Sequence, residues 1–457
     1  MTVKLLACCA LLIFTTCVHA DVKVPFMFSD HMVLQADMAA PVFGTAAAGE
    51  QVTVEINGQN KTATADKDGK WLAKLDAMKA GGPFELKITG KNTITIKDVL
   101  VGEVWVASGQ SNMRFPLSRA TDGAAEVAKM NNPKIRYLQD TGSWRIVAPN
   151  VGGNFSAAAY YFAADLQEHL KVPVGIIENS LSGACIEQFM SPEELAKPDI
   201  AEAIKLHDVP RHDVYDEKIA GLIGYGIKGA LWYQGEGNRD FPITYRKLLS
   251  ALVADWRGRW GQGDFPFIVV QLANWHAQTP EPSVGKDCTL REAQFKALTA
   301  IPNTGLVVTI DLGIVADVHY PNKKPVGERL AIAARGLAYG EKIEYSGPIF
   351  DTVKFEGNKA VVAFKHVGGG LVAKGGEKVM GFVICGADKK FVRAEAKIEG
   401  DKVIVTSASV ASPVAVRYAF ENNPVCNLTN KEGLPASPFR SDEFVSFPTR
   451  DNTKDDQ

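Results

Sequence analysis

The chain has 457 residues, 46% of them hydrophobic and 22% charged, so it holds enough apolar side chain to bury large cores, and disorder as its main state is excluded. Fifty Lys and Arg stand against 52 Asp and Glu, a net charge of −2. No basic surplus is left to neutralise a run of phosphates, and a nucleic-acid partner is not expected.

Residues 1–20 read as an export signal. Lys4 supplies a positive charge, residues 5–14 are apolar, and Val18-His19-Ala20 gives the small residues that signal peptidase reads, with cleavage expected before Asp21. The rival reading is a membrane anchor. The apolar run is only about half of the roughly 20 residues a bilayer span requires, and no later stretch reaches that length, so the mature chain is expected to have no membrane span. Its location is expected to be periplasmic or secreted. Cleavage removes Cys8, Cys9 and Cys17 and leaves Cys185, Cys288, Cys385 and Cys426. Their wide spacing excludes a small disulfide scaffold and a CxxC zinc site, while pairing and free buried thiols both stay open. Neither a metal nor a cofactor is expected.

Residues 21–98 alternate with a period of two between turn signals. Gln51-Val52-Thr53-Val54-Glu55-Ile56 runs into Asn57-Gly58, and Asp68-Gly69 precedes Trp71-Leu72-Ala73. These are hairpins of an antiparallel, sandwich-like β domain. From residue 99 the pattern changes to continuous apolar runs at 99–107, 172–177, 227–233, 267–272 and 306–310, with helix-period segments at 157–170, 243–257, 290–300 and 324–339. Strands and helices in alternation predict an α/β fold over residues 99–340, a mostly parallel five-stranded sheet covered on both faces. Short alternating runs return over residues 341–450 and predict a second β-rich region, either free-standing or completing the first. Residues 451–457 are polar and expected to fray.

Ligands of such a sheet bind beyond the carboxyl ends of its strands, and there the polar residues of this chain collect. The first strand runs into Ser108-Gly109-Gln110-Ser111-Asn112-Met113, the second into Asn179-Ser180-Leu181-Ser182-Gly183, the third into Gln234-Gly235-Glu236-Gly237-Asn238, and the last leads to Asp317-Val318-His319. Ser111 has the makings of a nucleophile at a glycine turn, though such a position also suits a helix N-cap. The second glycine of a G-x-S-x-G elbow is missing, which disfavours an α/β-hydrolase. Imidazole titrates near neutrality, so His319 is the candidate base and Asp317 the carboxylate that orients it. A surface His beside an acid is the plain alternative, and Asp311 reads as structural. Donors for a developing oxyanion would be the N–H of Ser111, the N–H of Gly183 and the amide of Asn238, which as single residues could equally be turn or cap chemistry. Gln110 and Glu236 either position a substrate or brace the loops. Trp275 and His276 could wall a sugar ring, although a packed loop aromatic is the commoner role; Arg291, Asn322 and Arg417 have similar standing.

In conjunction these blocks resemble a known family. Ser111, Gly183, Asn238 and His319, in that order on successive strand-end loops, follow the pattern for which SGNH hydrolases are named. Val101-Gly102-Glu103-Val104-Trp105, Trp232-Tyr233-Gln234-Gly235-Glu236, Asp317-Val318-His319-Tyr320-Pro321-Asn322-Lys323, Val326-Gly327-Glu328-Arg329-Leu330-Ala331 and Arg417-Tyr418-Ala419-Phe420-Glu421-Asn422-Asn423-Pro424 resemble the sialate O-acetylesterase family over nearly the whole mature chain. The resemblance implies an SGNH-type three-layer α/β/α domain and removal of acetyl groups from sugar hydroxyls, foremost O-acetylated sialic acid, by a metal-free serine route. It implies Ser111 as nucleophile, His319 as acid and base, Asp317 as its orienter, and Ser111, Gly183 and Asn238 as the oxyanion hole. An acetylated polysaccharide such as xylan is the second substrate class, and a non-enzymatic glycan-binding protein the reading from another class. Leu181-Ser182-Gly183-Ala184 and Gly237 depart from the family's usual residues while keeping the glycine and asparagine.

Overall fold

The computed structural model describes residues 21–205, 207 and 214–444; the export signal expected over residues 1–20 and the tail at 451–457 lie outside them. One 17-residue strand, β1 (Thr93–Gly109), organises the molecule. Its first half alternates, Thr93-Ile94-Thr95-Ile96, and pairs antiparallel with Gly81–Thr89 of the amino-terminal β region. From Val99 onward every residue is buried. The period changes because the first half keeps one wet face and the second is covered on both. The boundary expected between residues 98 and 99 therefore falls inside a strand, and no linker separates the two regions.

Around the second half of β1 are built β2 (Asn132–Gln139), β3 (Arg145–Val147), β4 (Val174–Ser180), β5 (Gly229–Tyr233), β6 (Phe267–Val270) and β7 (Thr304–Val307). Their order is β7-β6-β5-β1-β4-β2-β3, and every pair is parallel except β2 with β3. The sheet is mostly parallel, as the sequence predicts, but it exceeds the expected five strands by β2 and β3. Lys134 and Arg136 break the apolar pattern of β2 and hide it. Arg136 is nevertheless buried, because its guanidinium donates to Asp98 at 2.6 and 3.2 Å and to the carbonyl of Pro133 at 2.8 Å.

Helices α1 (Ser111–Arg114), α2 (Ala157–Leu170), α3 (Pro242–Trp260), α4 (Lys286–Leu298) and α5 (Lys324–Ala338) follow the strands. Side chains of β1 alternate between two cores. Val104 and Val106 pack with Leu252 and Trp256 of α3 and Leu290 of α4; Trp105 and Ala107 pack with Phe162 of α2 and Leu330 of α5. The helices thus cover both faces of the sheet. The first of these cores also takes in Val42, Val54 and Leu86 of the amino-terminal β region. Beyond α5 the chain forms a four-stranded antiparallel sheet from Ile349–Glu356, Lys359–Lys365, Lys402–Thr406 and Glu395–Glu399, with a second around Phe382–Cys385 and Ala415–Tyr418. This region has its own core, into which Val308 and Ile310 project from just past β7. Among the described residues no strand of it pairs with the amino-terminal region, so it does not complete the first β domain. No described helix is long and apolar enough to cross a membrane. Cys185, Cys288, Cys385 and Cys426 are all free thiols.

Candidate active site

Three strands of the sheet end level with one another. Gly109 of β1 is in register with Ser180 of β4 on one side and Tyr233 of β5 on the other. Leu181 N–H donates to Gly109 O, and Gln110 N–H to Tyr233 O, both at 3.0 Å, so the next three loops start from one line. Gly109 has φ +131°, and a Cβ there would stand 2.1 Å from the Tyr233 carbonyl oxygen. Only glycine allows β1 to turn into α1 at this point.

Ser111 is the first helical residue after that turn, rather than the cap. Its Oγ lies 2.7 Å from Nε2 of His319, 208 residues later in the loop after β7. His319 Nδ1 is 3.3 Å from Asp317 Oδ1, and the same oxygen accepts the His319 backbone N–H at 2.8 Å. That backbone hydrogen bond is the main reason the Asp317 carboxyl is held below the ordinary range. A ring with its proton on Nδ1 satisfies both contacts and leaves Nε2 free to accept from the serine. Serine, histidine and aspartate, as expected, come together.

The three candidate oxyanion donors sit on the three aligned loops. Ser111 N–H belongs to the first turn of α1, where intrahelical acceptors are lacking. Gly183 occupies an exposed turn at φ +76°. Asn238 is fully buried: its Oδ1 accepts from Ile186 N–H at 2.9 Å and from Gln234 at 2.7 Å, while its Nδ2 donates to Glu187 Oε2 at 2.8 Å. One of its two amide hydrogens is thereby committed to Glu187.

Gln110 is buried and braces the third loop, its Oε1 accepting from Gly237 N–H at 3.1 Å and Gly235 N–H at 3.4 Å. Glu236 turns towards Asn112. Trp275 is half-buried beside it in a small cavity lined also by Asn112, Leu272, Asp287 and Val318, and the Arg239 guanidinium lies 5.1 Å from the centre of its ring. His276 is held between Asp287 and Arg239, 3.2 Å from each. The remaining polar candidates are structural. Asp311 pairs with Arg329 through two 2.7 Å bonds, Arg417 with Asp442 through two at 2.8 Å, and Arg291 donates to the carbonyls of Ala273, Glu421 and Asn422. Asn322 is exposed. A hollow of about 870 Å³ opens at the opposite edge of the sheet beside Lys228, Pro266 and Asn303, away from Ser111 and His319.

Several residues at the site escape the sequence reading. Arg114, three residues after Ser111, donates to both oxygens of Asp140 at 2.8 and 2.7 Å, to Glu178 at 3.4 Å and to the Ser180 carbonyl at 3.2 Å. It fastens α1 to the ends of β2 and β4, and Lys218 makes a further ion pair with Asp140. Lys323 is completely buried with its ammonium 3.6 Å from the centre of the Tyr320 ring, and burial pulls its pKa down to about 7. An acid at each of two strand ends and a Lys four residues past the His were the available signals, but their partners are distant in sequence.

Residues 101–335 match the family described as carbohydrate esterase, sialic acid-specific acetylesterase. The chain is 28% identical over 474 residues to the sialate O-acetylesterase of Homo sapiens, covering 90% of this chain and 91% of that protein. It is 27% identical over 500 residues to that of Mus musculus, covering 90% and 92%. The crystal structure of a carbohydrate acetylesterase from Xanthomonas citri superposes with a TM-score of 0.86 at 39% identity, over 93% of this chain and all of that one. With the family's span covering the sheet and all four strand-end loops, and that structural likeness running through both β regions, the chain belongs to the sialic acid-specific acetylesterase family of carbohydrate esterases.

Proposed function

We propose that the protein hydrolyses acetyl esters on sugar hydroxyls through an acyl-enzyme on Ser111, in an SGNH-type hydrolase domain. The observation that carries this reading is the 2.7 Å contact between Ser111 Oγ and His319 Nε2 at the aligned strand ends, within a carbohydrate esterase family. Ser111 Oγ attacks the acetyl carbonyl as its proton passes to His319 Nε2. Charge on the carbonyl oxygen is taken up by the N–H groups of Ser111 and Gly183 and by the second amide hydrogen of Asn238. His319 then returns the proton to the departing sugar oxygen, and a water, activated by the same ring, releases acetate and restores the serine. Asp317 keeps the imidazolium oriented.

For the substrate we favour O-acetylated sialic acid, with the 9-O-acetyl ester first. The family description supports it, as does Arg119: exposed, and close enough to Asp317 to help hold its carboxyl down, it sets a positive charge beside the catalytic loop that suits the carboxylate of a sialic acid. The second substrate reading is a neutral acetylated polysaccharide such as xylan; the Xanthomonas citri relative, described only as a carbohydrate acetylesterase, does not select between the two. Acetate release from both substrates by wild type, Ser111→Ala and Arg119→Ala separates them. Release lost in Ser111→Ala is expected, with KM raised in Arg119→Ala for the sialic acid alone. Preference for xylan, unaffected by Arg119→Ala, would select the polysaccharide, and activity persisting in Ser111→Ala would remove the serine mechanism. Absence of release from both substrates would point to an ester other than these two or to glycan binding without hydrolysis.

A further inference from the structure

The serine loop and the histidine loop are joined by one buried side chain. Asn112, next to Ser111, donates from Nδ2 to the carbonyl of Val318, next to His319, at 3.2 Å. The same Nδ2 donates to Glu236 Oε1 at 2.6 Å, and Asn112 Oδ1 accepts from Lys323 Nζ at 2.6 Å. We propose that Asn112 is a positioning residue that fixes the separation of Ser111 and His319, and that Lys323 and Glu236 act through it by setting the orientation of its amide. This rests on the serine–histidine reading of the site.

An amide in this place is specified from both ends. Lys323 as an ammonium has only donors to offer, so in that form it selects the carbonyl oxygen of Asn112; Glu236 and Val318 O offer acceptors, so they select the two hydrogens of the NH2 group. Turned by 180°, the amide would set NH2 against an ammonium and oxygen against a carboxylate. Both hydrogen-bonding atoms of the Asn112 side chain are used, and Asn112 and Lys323 lie at 2% and 0% exposure. Around Lys323 stand the rings of Tyr320, Phe115 and Tyr233, which hold the ammonium by their faces without supplying an acceptor. Burial raises the pKa of Glu236, whose Oε2 makes no hydrogen bond, so the bond from Asn112 is the side-chain contact that fixes this carboxyl. Each of three separate sequence blocks contributes a member: Asn112 from the first strand-end loop, Glu236 from the third, Lys323 from the loop of His319. A shift of about 1 Å between two reacting groups is enough to cost on the order of 10²-fold in rate, which is why a tie beside each of them matters.

The test compares Asn112→Ala, Asn112→Asp, Glu236→Gln and Glu236→Leu with wild type and Ser111→Ala. The readouts are kcat and KM on an aryl acetate, the rate of Ser111 labelling by a fluorophosphonate, and thermal unfolding. Asn112→Ala and Asn112→Asp are expected to lower kcat and the labelling rate together by about 10²-fold with KM little changed, because both lose the bond to Val318 O. Asp keeps the volume and the acceptor for Lys323, so it serves if the alanine variant does not fold. Glu236→Gln retains an acceptor and is expected to lose several-fold less than Glu236→Leu. Asn112→Asp with wild-type labelling and kcat, or with a raised KM at unchanged kcat, overturns the inference. Equal losses in the two Glu236 variants overturn the part given to Glu236. Activity or labelling that survives Ser111→Ala instead overturns the reading of the site, and is seen independently of Asn112.

Discussion

A single carboxylate oxygen of Asp317 serves the His319 ring and the His319 backbone, and the two contacts are unequal. The backbone bond is the shorter, at 2.8 against 3.3 Å, and the Asp317 side chain is 47% exposed. Water therefore screens its charge more than that of a buried triad acid. Asp317→Asn keeps an acceptor for the backbone N–H and removes the charge opposite the imidazolium. Its expected cost is about 10- to 10²-fold in kcat/KM at pH 8, well short of the roughly 10⁴-fold known for a buried triad aspartate. The pH profile follows from the same contact. With its pKa depressed by the backbone N–H, Asp317 stays ionised throughout the range in which an imidazole titrates near neutrality. The acid limb of kcat/KM is thus expected to fall with the slope of one proton, since a single base must be unprotonated to accept from Ser111. A two-proton limb would mean that Asp317 titrates alongside it.

At the scale of elements, α1 is too short to hold itself, at four residues, and Arg114 supplies the attachment. Arg114→Leu leaves Glu178, wholly buried, without its cation. The expected destabilisation is about 2 kcal/mol, below the 3–5 typical of a broken buried pair, since the side chains of Arg114 and Asp140 remain 32% and 31% exposed. Its pH dependence has a definite sign. Asp140 is opposed by its own burial, but the bonds from Arg114 and Lys218 win and hold its pKa below the ordinary value, so the stability it contributes is full near neutrality and fades as pH falls through that lowered pKa. Glu178 is raised by burial already and rises further without Arg114, so the penalty for its charge is relieved in acid. Urea unfolding is expected to show a deficit that is largest near pH 7.5 and narrows towards pH 5; a deficit that widens in acid contradicts the clamp. The same elements mark what sequence can and cannot reveal. Ala157–Leu170 was legible by the helical period of its buried face, the continuous apolar strands because both their faces meet protein, and Ser111 and His319 because glycine turns and strand ends announce themselves. Strand β2 was hidden by Arg136, and a domain boundary was expected inside β1 because its burial changes midway. Arg114, Asn112 and Lys323 were unreadable in role, since the partners that give them meaning lie between 26 and 211 residues away.

Across the whole molecule the two β regions relate to the catalytic sheet differently. The amino-terminal region shares a strand and a core with it, so those residues fold as one body with the hydrolase sheet. The carboxyl-terminal region has its own core and reaches the site through side chains. Asn423 donates to the His276 carbonyl at 2.6 Å and accepts from Asn274 at 2.8 Å; Asn422 Oδ1 accepts from Asp287 N–H at 3.1 Å; Arg393 donates to the Thr279 carbonyl at 3.0 Å. Arg291, buried in α4, ties the carbonyls of Glu421 and Asn422 to that of Ala273 from the other side. The loop that carries Trp275 is thus held by the second β region, whereas Ser111 and His319 are held by the sheet and its helices. Binding and chemistry should then be separable. Asn423→Ala is expected to speed amide hydrogen exchange over residues 274–279 and to raise KM several-fold for an acetylated sugar, because the loop of Trp275, which we propose walls the sugar ring, loosens, while kcat and fluorophosphonate labelling of Ser111 stay near wild type. Loss of labelling in this variant would instead mean that the second β region supports the nucleophile itself, and that the division between the wall and the catalytic line does not exist.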